Sequence, residues 1–224
     1  MEKKTIRKLI TADGSESFYN EIVGDIYHSS TGAVEEALKK YAEPTKIREL
    51  AEKGSISILD ICFGLGYNSA AAIDIALQVN PDCHIEIIGL EIDQNILDMT
   101  REVNPSFRSY SLIQEASVKH ILNNSNINIK IIMGDAAKTI MDLNEMFDSV
   151  FLDPFSPSKA PELWQTGFLK EIRKRMKPNA VLATYSCARM VRDNLRTAGF
   201  LVKDGPIVGR KTPATLGVNQ KHSL

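Results

Sequence analysis

Asp153, Pro154 and Phe155 follow directly on the apolar run "FDSVFL", and Pro157 and Pro161 come soon after. An acid at the tip of a strand-like segment, followed by residues that forbid immediate helix, holds one carboxylate in a stiff setting. The chemistry this suits is the handling of an amine. A carboxylate and a proline-fixed carbonyl each accept one N–H and so aim the nitrogen lone pair. An aromatic side chain next door walls the site and favours a cation. The alternative is that Asp153 only caps a turn.

A second set of residues lies upstream. In "LDICFGLGYNS", Asp60, Cys62, Gly64 and Gly66 occupy every second position, with Asn68 following. Paired glycines let the backbone bend and approach a ligand at a helix start. A dinucleotide fingerprint would need a third glycine where Ser69 stands. The spacing instead resembles the D/E-x-G-x-G-x-G loop of Rossmann-like methyltransferases, with Cys62 in place of the first glycine. Asp60 would repel a pyrophosphate but suits a ligand carrying an ammonium, such as S-adenosylmethionine. Glu91, 25 residues beyond Gly66, stands where an acid accepts ribose hydroxyls, with Asp93 as the nearby rival. Asp135, in "MGDAA", is placed to accept an adenine amino group. Together these acids describe an adenosine with a cationic amino-acid tail.

Such residues need strands to carry them. From residue 55 onward, apolar strand-like runs alternate with helical segments, and the chain closes on a candidate hairpin, "FLVKDGPIVGRKTPATLGV". The expected fold is α/β: a Rossmann-like, class I methyltransferase fold with a mostly parallel seven-stranded sheet, helices on both faces and a C-terminal antiparallel hairpin. Residues 51–224 form that domain, and residues 1–50 form an extension packing near the active site, with a turn at "DGSES" and helical spacing of Val34, Leu38 and Tyr41. The 224 residues suffice for a core without staples, and three scattered cysteines suggest neither disulfides nor a metal site. No stretch reads as a signal peptide or a membrane span, so a cytoplasmic protein is expected.

The net charge of −1 conceals a division. Residues 1–153 hold 14 Lys and Arg against 24 Asp and Glu, whereas residues 154–224 hold 13 against 4. A basic final third suits a polyanion, although "KEIRKRMK" also reads as the solvated side of an amphipathic helix.

Several stretches carry a more specific likeness: "DGSESFYNEIVGDIYHSSTGA", "GLGYN", "LDPFSPSKAPELW", "LATYSCARMVRDNLRTAGF" and the terminal "GRK". With these the chain resembles the methyltransferase half of the bacterial tRNA-modification enzyme MnmC and its stand-alone relatives. Asp153-Pro154-Phe155 likewise resembles the D/N-P-P-Y/F motif of amine methyltransferases, with Phe155 at the second proline. The resemblance implies S-adenosylmethionine-dependent methylation of the exocyclic amine of 5-aminomethyl-2-thiouridine at the tRNA wobble position. It implies that Gly64, Gly66, Glu91 and Asp135, with Asp60, Cys62 and Asn68 in the same loop, serve the cofactor, and that Asp153 faces the amine. Tyr27 and its neighbour His28 are candidates to close over the cofactor, or are packing. Lys159, Arg210 and Lys211 are candidate RNA contacts; Trp164 stacks on a base or belongs to the core. No FAD, no metal and no obligatory protein partner are expected. The rival readings are a spermidine-synthase-like aminopropyltransferase, a non-catalytic RNA- or protein-binding module on the same fold, and an NAD oxidoreductase, which lacks its third glycine.

Overall fold

The computed structural model describes residues 6–220. Three strands come first, β1 (Ile6–Ile10), β2 (Glu16–Asn20) and β3 (Asp25–Ile26), paired antiparallel in chain order. The sequence predicts only a turn here. That turn is the loop of the β1–β2 hairpin: the Asp13 carboxylate accepts from the Thr11 hydroxyl at 2.6 Å and the Ser15 amide at 3.0 Å, while Gly14 supplies a φ of 82°. The flanking strands are five residues or fewer and their apolar and polar residues do not alternate, so they show no period. Helix α1 (Ala33–Glu36) runs into a π-helical turn, Ala37–Ala42, and α2 (Ile47–Ala51) follows.

The main sheet contains β4 (Ser55–Ile61), β5 (His84–Glu91), β6 (Ile121–Asn123), β7 (Ile127–Met133), β8 (Phe147–Leu152), β9 (Met176–Thr184), β10 (Leu201–Asp204) and β11 (Thr215–Val218). Their order is β10-β11-β9-β8-β4-β5-β7-β6, parallel from β9 to β7 and antiparallel at both edges. The sheet therefore has eight strands and not seven. The extra one, β6, is three residues long and starts after His120 turns left-handed, too short for a periodic signal. The expected C-terminal hairpin is β10–β11.

The sheet is flanked by α2 and by α3 (Tyr67–Val79), α4 (Gln94–Met99), α5 (Tyr110–Lys119), α6 (Ala136–Thr139), α7 (Thr166–Lys174) and α8 (Arg189–Thr197). Successive strand residues serve opposite cores. Ile58, Ile87 and Ile129 pack with α3, α5 and the π-turn, whereas Leu59, Ile88 and Leu152 pack with α6, α7 and α8. A strand buried on both faces reads as a largely apolar run, as in "ISILDI", which only Ser57 and Asp60 interrupt.

Candidate active site

The chain leaves β4 to build β5 and β7 on one side and returns to place β8 on the other. Adjacent strands that lead away in opposite directions open a crevice at their carboxyl ends. Here that crevice is a cavity of about 790 Å³, walled by the loops after β4, β5, β7 and β8 and by residues between Asn20 and Thr31.

The loop after β4 turns through three left-handed residues, Cys62 (φ 64°), Gly64 (φ 56°) and Gly66 (φ 70°). Cys62 and Gly64 line the cavity. Gly66 does not; it caps α3, close against Phe63 and Ile113. Glu91 lines the cavity, and its carboxylate gathers the amides of Gly64 (2.8 Å), Ile92 (2.8 Å) and Asp93 (2.9 Å). Burial pushes the Glu91 carboxyl up, and those amides oppose the shift. Asp93 and Asp135 cap α4 and α6 and also line the cavity.

Asp60, expected at a bound ammonium, lies outside this lining. It is fully buried beneath the loop, accepts from the Ser69 hydroxyl at 2.7 Å, and keeps Oδ1 without a partner. Burial raises its pKa well above the ordinary carboxylate range, so a direct ion pair from the cavity is not what this position offers.

Tyr27 lies between the two ends of the cavity. Its ring is 5.0 Å from that of Phe155, its edge approaches Gly64, and its hydroxyl accepts from Asn20 at 3.0 Å and donates to Asp93 at 3.4 Å. His28 also reaches the lining, but it is buried, stacks on Tyr67 and pairs with Ser17 at 3.0 Å. Its burial lowers the imidazole to about 4, so it is neutral.

Asp153 stands at the tip of β8, beside the β4 loop. Tyr41 donates to Oδ1 at 2.5 Å and Asn68 to Oδ2 at 2.9 Å. Asn68, expected to serve the cofactor, thus spends its amide on Asp153. Burial, then the nearby Glu36 charge, raise the Asp153 carboxyl to about 7 against the pull of Tyr41, Asn68 and Lys40. The Pro154 carbonyl accepts from the Tyr185 hydroxyl at 3.0 Å, which leaves one lone pair.

Lys159 and Arg210 line the cavity; Lys211 is exposed outside it. Trp164 is a core residue and not a stacking platform: it is fully buried, and its indole donates to the Phe155 carbonyl at 2.9 Å. Its effect on the site is indirect, holding the backbone after Asp153. The basic third is partly neutralised by its own structure. Arg192 pairs with Asp204, Lys174 with Glu171, Arg196 with Asp193, and Arg175 donates to the Leu143 carbonyl.

A family described as S-adenosyl-L-methionine-dependent methyltransferase matches residues 98–220, more than half the chain. MNMC2 from Aquifex aeolicus superposes with a TM-score of 0.82 at 34% identity, over 96% of this chain and 71% of that one. This chain belongs to the S-adenosylmethionine-dependent methyltransferases, and within them to the MnmC type. An uncharacterized Methanocaldococcus jannaschii protein is 35% identical over 92% of the chain, which spans 57% of that relative's length. The bifunctional MnmC of Leptospira interrogans is 26% identical over 88% of the chain and 33% of its own length. Spermidine synthase from Thermotoga maritima shares the fold alone, at 14% identity over 95% of this chain and 68% of that one, with a TM-score of 0.60.

The cavity suits the methyltransferase cofactor. The left-handed turn at Gly64 brings bare backbone to the wall, Glu91 Oε2 has a lone pair beyond the one given to Gly64, and Asp93 and Asp135 face the same space. Among the described residues no group of three or more His, Cys, Asp or Glu is placed to hold a metal ion, and no helix is long and apolar enough to cross a membrane.

Sequence reasoning missed four residues around Asp153. Tyr41 reads as one apolar position of a helix, and Glu36 and Lys40 as its solvated side. Yet Glu36 and Lys40 are buried as an ion pair of 2.6 Å, and Glu36 lines the cavity. Tyr185, after β9, was a strand-end residue on the fifth parallel strand, and strand-end position was the signal available for it.

Proposed function

We propose that this methyltransferase transfers a methyl group to a primary alkylamine, that of 5-aminomethyl-2-thiouridine at the wobble position of tRNA. The observation that carries the reading is Asp153: a carboxylate raised to about 7, held from two sides, at the floor of a cavity walled by Phe155 and Tyr27. When bound, S-adenosylmethionine supplies a methyl group on a positively charged sulfur.

The chain's own residues prepare the amine. An alkylammonium with a pKa near ~10.4 has no lone pair to offer, and neutralising it at pH 7 costs roughly 4–5 kcal/mol. An ordinary aspartate is a poor acceptor for that proton. Raising Asp153 to about 7 narrows the mismatch with the amine. Asp153 takes one proton, and the neutral amine then turns about its C–N bond so that its two remaining N–H bonds donate to free oxygen lone pairs of Asp153 and Pro154 and its own lone pair points along the cavity towards the Gly64 end. The product leaves as a secondary ammonium, and the proton on Asp153 returns to solvent. Phe155 and Tyr27 exclude water while accommodating the cation. Lys159 and Arg210 at the wall supply positive charge for phosphates, which positions an RNA without reading its sequence.

The MnmC relatives are tRNA 5-methylaminomethyl-2-thiouridine biosynthesis proteins by name, which supports this substrate. The test is transfer of labelled methyl from S-adenosylmethionine to tRNA bearing 5-aminomethyl-2-thiouridine, with Asp153→Ala as control. Label on the wobble uridine with the wild-type protein alone is the expected result. Tight cofactor binding without transfer overturns the tRNA reading, and aminopropyl transfer from decarboxylated S-adenosylmethionine to a polyamine would replace it.

A further inference from the structure

The π-helical turn Ala37–Ala42 lies directly beneath Asp153 and is marked by the bond from the Glu43 amide to the Leu38 carbonyl, five residues back, at 2.9 Å. In an α-helix, residue i+5 points about 140° away from residue i. The wider π-turn lets positions i, i+4 and i+5 share a face, and such turns gather at functional sites. Here those positions are Glu36, Lys40 and Tyr41, all buried. We propose that this turn is the positioning element of the amine site, with Tyr41 fixing the aim and charge of Asp153 and the Glu36–Lys40 pair setting the field around it.

The hydrogen bonds form a directed chain. The Tyr185 amide donates to the Tyr41 oxygen at 3.3 Å, which occupies an acceptor lone pair and turns the Tyr41 proton towards Asp153 Oδ1. The Tyr185 hydroxyl in turn donates to the Pro154 carbonyl at 3.0 Å. Both acceptors proposed for the amine are therefore held by one tyrosine pair, one on the π-turn and one just after β9. Glu36 is fixed by Lys40 at 2.6 Å and by the Ser29 amide at 2.7 Å, so its charge stays in place beside Asp153. An i,i+4 pair on a solvated helix would have no such purpose, and burying it is costly without partners for every oxygen.

The charged and titratable groups around Asp153 come from every neighbouring element. Glu36, Lys40 and Tyr41 approach from below, Asp60 and Cys62 from the end of β4, Glu91 across the cavity from β5, and Tyr185 and Arg210 from the C-terminal side. Tyr41 stabilises the ionised carboxylate, whereas Glu36 opposes it. Their removal must therefore move Asp153 in opposite directions, an outcome that a purely structural role would not produce.

This inference rests on the amine-methylation reading, but its first readout needs no substrate. The carboxyl of Asp153 is titrated by carbon-13 NMR in aspartate-labelled protein, as wild type, Tyr41→Phe and Glu36→Gln. Tyr41→Phe is expected to raise the Asp153 midpoint by about one pH unit, the worth of one charge-assisted hydrogen bond, and Glu36→Gln to lower it. In the methyl-transfer assay the acid limb of the kcat profile shifts the same way, with kcat for Tyr41→Phe reduced about tenfold and S-adenosylmethionine affinity unchanged. Midpoints that stay put, or that move together in folded variants, overturn the proposal. Should Glu36→Gln fail to fold, the Tyr41→Phe titration alone decides, since that change removes one oxygen. Opposite shifts in a protein that methylates no tRNA would keep the positioning role and reject the substrate.

Discussion

Glu91 Oε2 accepts the Gly64 amide at 2.8 Å, so the acid at the tip of β5 also clamps the glycine loop that follows β4. The other oxygen collects the amides of Ile92 and Asp93. A glutamine offers one acceptor oxygen and must set its NH₂ against one of these donors. Glu91→Gln is therefore expected to weaken S-adenosylmethionine binding by about 10–100-fold, one to two charge-assisted hydrogen bonds. Isothermal titration measures this directly, and an unchanged Kd would remove Glu91 from the cofactor site.

Gly64 and Gly66 share left-handed backbone but differ in what surrounds them. A Cβ on Gly66 would lie 2.5 Å from Ile113 and 2.8 Å from Phe63, whereas one on Gly64 meets nothing closer than 3.8 Å. Gly66→Ala should cost strain plus overpacking, about 2–4 kcal/mol of stability. Gly64→Ala should cost about 1 kcal/mol of stability and put its methyl at the cavity wall, so its main effect is expected on cofactor affinity. Denaturant melts and cofactor titrations on both variants separate the two; equal stability losses would contradict the packing difference.

Cys62 occupies a left-handed position, φ 64°, without being glycine. Comparing two replacements isolates the backbone cost from the loss of the thiol. Cys62→Gly should be more stable than Cys62→Ala by about 1 kcal/mol, against the usual penalty for glycine elsewhere. The reverse order in urea melts would show that the loop relaxes out of this conformation.

The parallel sheet and its ligand edge were legible because buried strands are largely apolar, and the residues just after each strand stand at the cavity: Cys62 after β4, Gly134 and Asp135 after β7, Asp153 after β8. Position along the chain did not reveal which way a side chain faces. Asp60 is one residue before the end of β4, and that is enough to put it under the loop. Trp164, open between a stacking platform and the core in the sequence, fills the core, where its indole has the Phe155 carbonyl to satisfy it. The π-turn was illegible for a different reason. One extra residue per turn moves Lys40 and Tyr41 to the same face, and a helical spacing of 3.6 assigns Lys40 to solvent. The N-terminal strands were too short and irregular to show a period, so the sequence placed an extension near the active site without showing its strands.

The raised Asp153 carboxyl has a consequence for folding that needs no catalysis. Its folded value, about 7, lies above that of an unfolded aspartate, near ~3.9, because burial disfavours the charge. The folded state therefore holds its proton more tightly. The stability associated with the protonated form is fully present below pH ~4, and it is lost as pH rises through about 7; the full penalty is at most roughly 4 kcal/mol. Asp153→Asn removes that titration while keeping the shape. Its carbonyl still accepts from Tyr41, and Asn68, whose Oδ1 is buried without a partner, can turn its amide over to accept the new NH₂. The variant should match wild type in stability below pH ~4, exceed it increasingly as pH rises to about 7, keep that margin above it, and lose turnover throughout. Calorimetry across that range is the check. A stability difference that does not change with pH would mean that Asp153 is already ionised in the folded protein at pH 4.5, and that it cannot be the group that takes the proton from the amine.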